Sequence, residues 1–275
     1  MFLFEALVLG IVQGLTEFLP VSSTAHLILF PWALGWDSPM LNSLTFDVAL
    51  HLGTLVAVLY YFRKDWIRLV GAFFTSIKNR RISGADERTA WLLIAACLPA
   101  GVLGIMFEDY VETTLRSPLI IVVTLVGVSL LMVAAERAAK MRAMSLPVGE
   151  MTLTHALVIG FAQASALIPG VSRSGATITA GLWSGYSRAD AARFSFLLST
   201  PVIAGACALK LGHLVNGMPE GEAAAFAAGA VASGLSGYAA IAFLIRYLAK
   251  RPLYVFAAYR VVLAAGILCV YFFRS

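Results

Sequence analysis

Charge is scarce in this 275-residue chain: 13% of its residues are Asp, Glu, Lys or Arg, against 60% hydrophobic. That excludes a soluble domain with an ordinary solvated surface. The long, unalternating apolar runs also exclude a β-barrel, which leaves an all-α integral membrane protein. Cysteine is scarce too. Cys97, Cys207 and Cys269 lie inside apolar runs without CxxC or metal-type spacing, so they read as reduced packing residues rather than a disulfide framework or zinc site. The N-terminus lacks a basic n-region and a small-residue cleavage site, so no signal peptide is expected. The net charge of +5 is small and lies almost wholly in loops, where it reports topology; no nucleic-acid partner is expected.

Six apolar runs are long enough to span a bilayer: about 45–62, 90–107, 117–135, 193–211, 223–247 and 254–272. Two further stretches, about 3–34 and 153–186, are apolar but broken by Pro and Gly near their middles. Irregular backbone at membrane depth is tolerated where protein or a water-filled cavity surrounds it, so each reads as a re-entrant helix-turn-helix hairpin. The 63–88 segment carries Arg63, Lys64, Arg68, Lys78, Arg80, Arg81 and Arg88 and reads as a cytoplasmic loop. Arg137, Lys140 and Arg142, then Arg188 and Arg193, then Arg246, Lys250 and Arg251, fall on the same side. Glu108, Asp109 and Glu112, or Glu220 and Glu222, fall opposite. Trp66 and Trp91, with Tyr60 and Tyr61, flank the cytoplasmic segment as an aromatic belt.

Threading the spans makes the first hairpin dip from the outer side and the second from the cytoplasmic side. The chain is then one membrane domain built as an inverted-topology repeat, 1–136 and 150–275, with the broken tips meeting near the midplane. Shifting the sequence by 150 positions supports the repeat: Gly10, Gln13, Val21, Ser22 and Ile28 fall on Gly160, Gln163, Val171, Ser172 and Ile178. Gly229, Ser233 and Gly237 place small residues at every fourth position of the fifth span, a pattern for close helix packing.

A carboxylate at bilayer depth costs roughly 2.5–3.5 kcal/mol on insertion scales, so Glu17 in the first hairpin calls for a task. Gln13 and Glu17 are four apart and share a helical face. After Pro20, Ser22-Ser23-Thr24 reads as the N-cap of a second half-helix, whose free amides and positive dipole end suit a phosphate. His26, a turn further on, is placed to act as base or acid for a neighbouring hydroxyl. In the second hairpin, Pro169-Gly-Val-Ser-Arg-Ser-Gly-Ala-Thr177 offers hydroxyls at Ser172, Ser174 and Thr177, close backbone approach at Gly170 and Gly175, and a guanidinium at Arg173. An Arg173–Glu17 pair across the repeat is the structural alternative to phosphate binding. Asp47 and His51 fall one turn apart in the next span. Arg260 in the last span has no local acid and reads as half of an ion pair, with Asp47 or Glu17 as partner; Lys210 and His213 read as snorkelling to the interface. Glu17 with Gln13 suits a divalent cation and Arg173 an anion, which together point to phosphoryl chemistry on a membrane-embedded substrate. An alternating-access carrier or flippase of an anionic polyprenyl lipid is the rival reading.

The stretches Gln13-Gly-Leu-Thr-Glu-Phe-Leu-Pro-Val-Ser-Ser-Thr-Ala-His26 and Pro169–Thr177, with Ser187-Arg188 and Phe194-Ser-Phe-Leu-Leu198, resemble the bacterial undecaprenyl-diphosphate phosphatase family linked to bacitracin resistance. The resemblance runs over essentially the whole chain. It implies hydrolysis of undecaprenyl diphosphate to undecaprenyl phosphate and phosphate, which recycles the lipid carrier of peptidoglycan synthesis. It also implies a multi-pass protein of the bacterial inner membrane with its active site open to the periplasm, and dependence on a divalent cation, Mg²⁺ or Ca²⁺. By position, Glu17 belongs to the acidic, metal-binding motif, Ser23 and His26 to a nucleophile and its activator, and Arg173 with Ser172, Ser174, Gly175 and Thr177 to a diphosphate clamp. Gln13, Ser22, Thr24 and Gln163 join the substrate-binding set. Membrane lipids are expected partners, and oligomeric state is left open with a homodimer as one option. Two positions depart from the family pattern: Gln13 stands at the first acidic position, and Ala25 stands where Gly is usual.

Overall fold

The computed structural model describes residues 2–36, 38, 41, 43–115, 117–142, 145–146, 148–217 and 221–274. Glu220 and the side chains of Glu108, Asp109, Glu112 and His213 lie outside the described residues. The described residues form eleven α-helices and no sheet: α1 (Phe2–Phe18), α2 (Ser23–Leu34), α3 (Leu44–Tyr61), α4 (Arg63–Asn79), α5 (Ala85–Thr114), α6 (Pro118–Lys140), α7 (Leu153–Ser165), α8 (Arg173–Trp183), α9 (Arg188–Gly217), α10 (Ala223–Leu248) and α11 (Tyr254–Arg274).

Each of the six expected spans coincides with a helix. Five of them (α5, α6, α9, α10 and α11) are long and apolar enough to cross a membrane by themselves; α3 qualifies only together with α4, which turns away from it by 78°. Here the sequence reading needs correction, because most of the basic 63–88 segment is helix rather than loop. Its charges mask a 3.6-residue period: Leu69 is buried and Trp66 and Phe73 pack against the core, while Arg63, Lys64 and Arg68 stay on the outer side.

Helix packing interlocks the two halves of the chain. The most extensive contact is α1 on α10, and α7 lies on α5, so the first helix of each broken pair is seated on a long helix from the other half. Small residues permit this closeness. A Cβ on Gly14 would stand 2.0 Å from Ser236 Oγ, and one on Gly160 would stand 2.5 Å from the Ala96 carbonyl oxygen. The Gly229, Ser233 and Gly237 stripe packs as expected, with Ser233 Oγ donating to the Leu50 carbonyl at 2.8 Å. Phe18 meets Phe196 edge-on at 5.5 Å, and these rings sit in the main core cluster.

Packing also pairs a buried charge near a helix end. Glu136, fully buried near the end of α6, accepts a bidentate bond from Arg188 at the start of α9, and also the Leu253 amide at 2.8 Å. Arg188, read from sequence as a topology charge, is therefore a structural staple between α6, α9 and the start of α11. The three cysteines are unpaired.

Candidate active site

Both broken segments stop and restart in the same way. The α1–α2 break ends at Ser22 (φ 78°, ψ 98°) and the α7–α8 break at Ser172 (φ 70°, ψ 112°), 150 positions apart in sequence. Such backbone costs a non-glycine residue about 1–3 kcal/mol and persists only where the surroundings enforce it. Each serine then caps its helix: Ser22 Oγ accepts the Ala25 amide at 3.4 Å, and Ser172 Oγ accepts the Gly175 amide at 3.1 Å. The caps satisfy one amide each; the first amides of α2 and α8 have no acceptor within their helices, which makes each helix start a positive end. Ala25, the departure from the family pattern, lies within α2 away from any positive φ, so its methyl is accommodated. Gly175 is tighter: a Cβ there would stand 3.1 Å from Ser172 Cβ.

Between the two helix ends lies a cavity of about 140 Å³, lined by Glu17, Ser22, Ser23, Thr24, His51, Ala166, Ser172 and Arg173. Glu17 is its hub. Oε1 accepts Arg173 Nη2 at 2.8 Å, while Oε2 accepts Ser23 Oγ at 2.6 Å and Gln13 Nε2 at 3.2 Å. His51 Nε2 stands 3.7 Å from the same oxygen, with Nδ1 donating to the Asp47 carbonyl at 2.7 Å. Arg173 is only half used, since its Nη1 is buried and has no hydrogen-bond partner. The amide oxygen of Gln13 is likewise buried and unpartnered. Buried polar groups are normally satisfied, so the orphan Arg173 nitrogen in the lining indicates a site completed by a ligand; Gln13 stands behind Glu17 and is not itself among the lining residues.

The structure does not bring all the sequence candidates to this cavity. The expected pairing of Ser23 with His26 is not formed, because Ser23 donates to Glu17 while both nitrogens of His26 are engaged elsewhere. Nδ1 donates to the Ser22 carbonyl at 2.6 Å, and Nε2 accepts the Tyr259 hydroxyl at 2.7 Å. Ser174 Oγ bonds the Leu19 carbonyl at 3.0 Å and ties the two breaks together. Thr177 Oγ1 turns away, to the Arg173 carbonyl and Ser195. Gln163 is buried with both amide atoms unpartnered and is not among the residues lining the cavity. The expected ion pair of Arg260 is overturned: all its hydrogen bonds go to neutral oxygens, because α11 brings it against backbone carbonyls at the breaks rather than against an acid. His51, noted in the sequence only for its place one turn from Asp47, is a cavity residue that sequence reasoning did not assign to the site. The available signal was an ionisable group inside an apolar span.

The polar cavity adjoins a larger one of about 380 Å³, and the two share Thr24 and His51. Leu27, Ile28, Val48, Leu167 and Ile203 wall the larger cavity, with Asp47 and Lys210 also in its lining. Among the described residues no cluster of three His, Cys, Asp or Glu forms a ready-made metal cage.

A helical multi-pass membrane protein with an Arg–Glu pair and two serine-capped helix ends facing one small cavity belongs to the class that handles oxyanions, phosphate above all, at membrane depth. Comparison with known proteins narrows this class. The family model described as "Bacitracin resistance protein BacA" matches residues 6–266, and the chain belongs to that family. It is 49% identical over 279 residues to the undecaprenyl-diphosphatase of Thermodesulfovibrio yellowstonii, covering 99% of both chains. It is 50% identical over 265 residues to that of Rubrobacter xylanophilus, covering 96% of both. With the undecaprenyl-diphosphatase of Pelobacter propionicus it shares 45% over 270 residues, 98% of this chain and 97% of the relative.

Proposed function

We propose that this protein hydrolyses undecaprenyl diphosphate to undecaprenyl phosphate and inorganic phosphate, recycling the carrier lipid of cell-wall synthesis and so conferring bacitracin resistance. One observation carries the reading: the small cavity holding Glu17, Ser23 and Arg173 adjoins, past Thr24 and His51, a larger cavity walled mostly by apolar side chains, with Asp47 and Lys210 also in its lining. That shape fits an amphiphile with a compact anionic head and a hydrocarbon tail.

The chemistry follows from the contacts. Ser23 Oγ already donates a hydrogen bond to Glu17 Oε2, so the carboxylate acts as its base when the hydroxyl attacks the terminal phosphorus. The bond between that phosphorus and the bridging oxygen breaks, and the electron pair leaves with undecaprenyl phosphate. Water then hydrolyses the phosphoserine, releasing phosphate and returning the proton to Ser23. The free Nη1 of Arg173 and the α2 and α8 amides face the charge that builds on the phosphoryl oxygens. His26 acts one step removed, holding the Ser22 carbonyl so that the strained turn presents Ser23. Glu17 and the unpartnered Gln13 oxygen are the donors that would hold a divalent cation, Mg²⁺ or Ca²⁺, in the usual mode of one carboxylate plus substrate oxygens and water. Bound there, the cation would neutralise diphosphate charge.

The cross-seating of α1 on α10 and α7 on α5, and the matched strained serines, support an inverted-topology repeat with two re-entrant hairpins. The basic α4 and its neighbours support a cytoplasmic side for that end of the molecule; our reading is a bacterial inner-membrane protein with its cavity open to the periplasm. The test is phosphate release from undecaprenyl diphosphate by detergent-purified protein. Release that depends on Arg173 supports the reading, whereas movement of a labelled polyprenyl lipid across vesicles without phosphate release would favour a carrier.

A further inference from the structure

Arg260 heads the fully buried side chains in volume, and its place in the fold is unusual. Its guanidinium donates to the Pro20 carbonyl at 3.4 Å and the Gly170 carbonyl at 2.9 Å. These two residues are 150 positions apart, so they are equivalents in the two halves of the chain, and each lies two residues before a strained serine. A single side chain thus grips the same point of both breaks. On its other side it is anchored to α6, through the Thr124 and Leu125 carbonyls at 3.3 Å and Ser129 Oγ at 3.2 Å. Thr124 reinforces the grip by donating its hydroxyl to the Pro169 carbonyl at 2.7 Å. Among the described residues Arg260 forms no ion pair.

A buried cation satisfied only by neutral oxygens is costly unless an anion comes near it. The guanidinium sits directly behind the first turn of α8, where a Cβ on Gly175 would stand 3.7 Å from Nη1. Its charge therefore adds to that of the helix end facing the cavity. With Arg173 and Arg260 against Glu17, the immediate surroundings of the cavity carry a net +1, the sign a diphosphate requires. We propose that Arg260 is a positioning residue for the diphosphate site. It fixes the two breaks in mutual register, so that Ser23 and Arg173 share one cavity, and it leaves its charge for the bound anion. This inference rests on the phosphatase reading.

The two parts separate experimentally. Arg260→Lys keeps the charge, but one ammonium cannot reproduce a fork spanning Pro20 and Gly170. Arg260→Met removes both, and Ser129→Ala removes one anchor on α6 while leaving the charge. Two quantities are measured on monodisperse, detergent-purified protein: pyrophosphate affinity by calorimetry, and phosphate release per folded molecule. The Lys variant is expected to bind pyrophosphate within about threefold of wild type yet lose about 10²-fold in kcat, the scale for an ångström of misplacement. The Met variant should bind pyrophosphate about tenfold more weakly as well, and Ser129→Ala should lose a few-fold in kcat with affinity unchanged. A purely structural role would lower the yield of folded protein and leave both quantities normal in the molecules that fold. Wild-type kcat in the Lys and Ser129→Ala variants, or wild-type affinity in the Met variant, overturns the proposal. If the Met variant does not fold, the other two decide. Should wild type itself release no phosphate, the phosphatase reading fails, and the pyrophosphate affinities still settle whether Arg260 serves an anion site.

Discussion

Arg173→Lys isolates what the guanidinium fork contributes to the cavity. In the native protein Nη2 holds Glu17 at 2.8 Å while Nη1 is buried and unpartnered, so one side chain serves the carboxylate and an incoming phosphoryl group together. A lysine ammonium is shorter and pointlike; it can keep the Glu17 pair or reach the phosphate, and electrostatics favours the pair already in place. The loss is then one preorganised donor aimed at the transition state, worth about 2.7–4 kcal/mol, or about 10²–10³ in kcat. Folding stability should change little, because Glu17 keeps a cationic partner. Arg173→Ala differs. It strands a carboxylate that is 7% exposed, and breaking such a pair costs about 3–5 kcal/mol. Adding Glu17→Gln to Arg173→Ala should recover most of that stability and none of the activity. The assay is phosphate release from undecaprenyl diphosphate at saturating substrate, alongside thermal unfolding in detergent. A Lys variant within tenfold of wild-type kcat would refute the divided use of the fork.

Other outcomes follow from the same contacts. Ser23→Ala should lower turnover by about 10³-fold or more and abolish any acid-stable phosphoserine seen by mass spectrometry after quench; near-normal turnover would remove the covalent route. Ser172→Gly should be at least as stable as wild type, since relief of about 1–3 kcal/mol of backbone strain outweighs a glycine cap's loss of a few tenths and its added chain entropy. Ser172→Ala keeps the strain, loses the cap and should melt earlier than the Gly variant. Gly14→Ala puts a methyl 2.0 Å from Ser236 Oγ and should cost about 1–3 kcal/mol by forcing α1 off α10, read as a lower melting temperature. Chelation should stop phosphate release, and added Mg²⁺ or Ca²⁺ should restore it if Glu17 and Gln13 form the cation site.

How much of this was legible in the chain depends on whether the signal was local. The six spans, the two interruptions and the small-residue stripe are properties of contiguous residues: bilayer thickness sets run length, and clustered Pro, Gly and Ser mark the breaks at Pro20 and Pro169, although Pro31, Pro99 and Pro201 are carried inside helices. Glu17, Ser22, Ser23 and Arg173 were also readable. A carboxylate, a guanidinium and hydroxyls in apolar surroundings stand out without any fold, and Ser22 and Ser172 do cap their helices. The helix in 63–88 was hidden because seven basic residues outweighed its apolar face in a linear reading.

What the tertiary structure alone decided is which polar groups meet. His26 was assigned to Ser23 through the family resemblance and its place a turn further on, but the residue that claims it is Tyr259, brought in by α11 from the far end of the chain. His51 reaches the cavity because α3 packs beside α1, and Arg260 finds two equivalent carbonyls instead of an acid. Hydrophobicity and helix-breaking act along the chain and can be read from it. Hydrogen bonds between distant helices depend on crossing angles and on approaches closer than a methyl allows, and those exist only once the helices have packed.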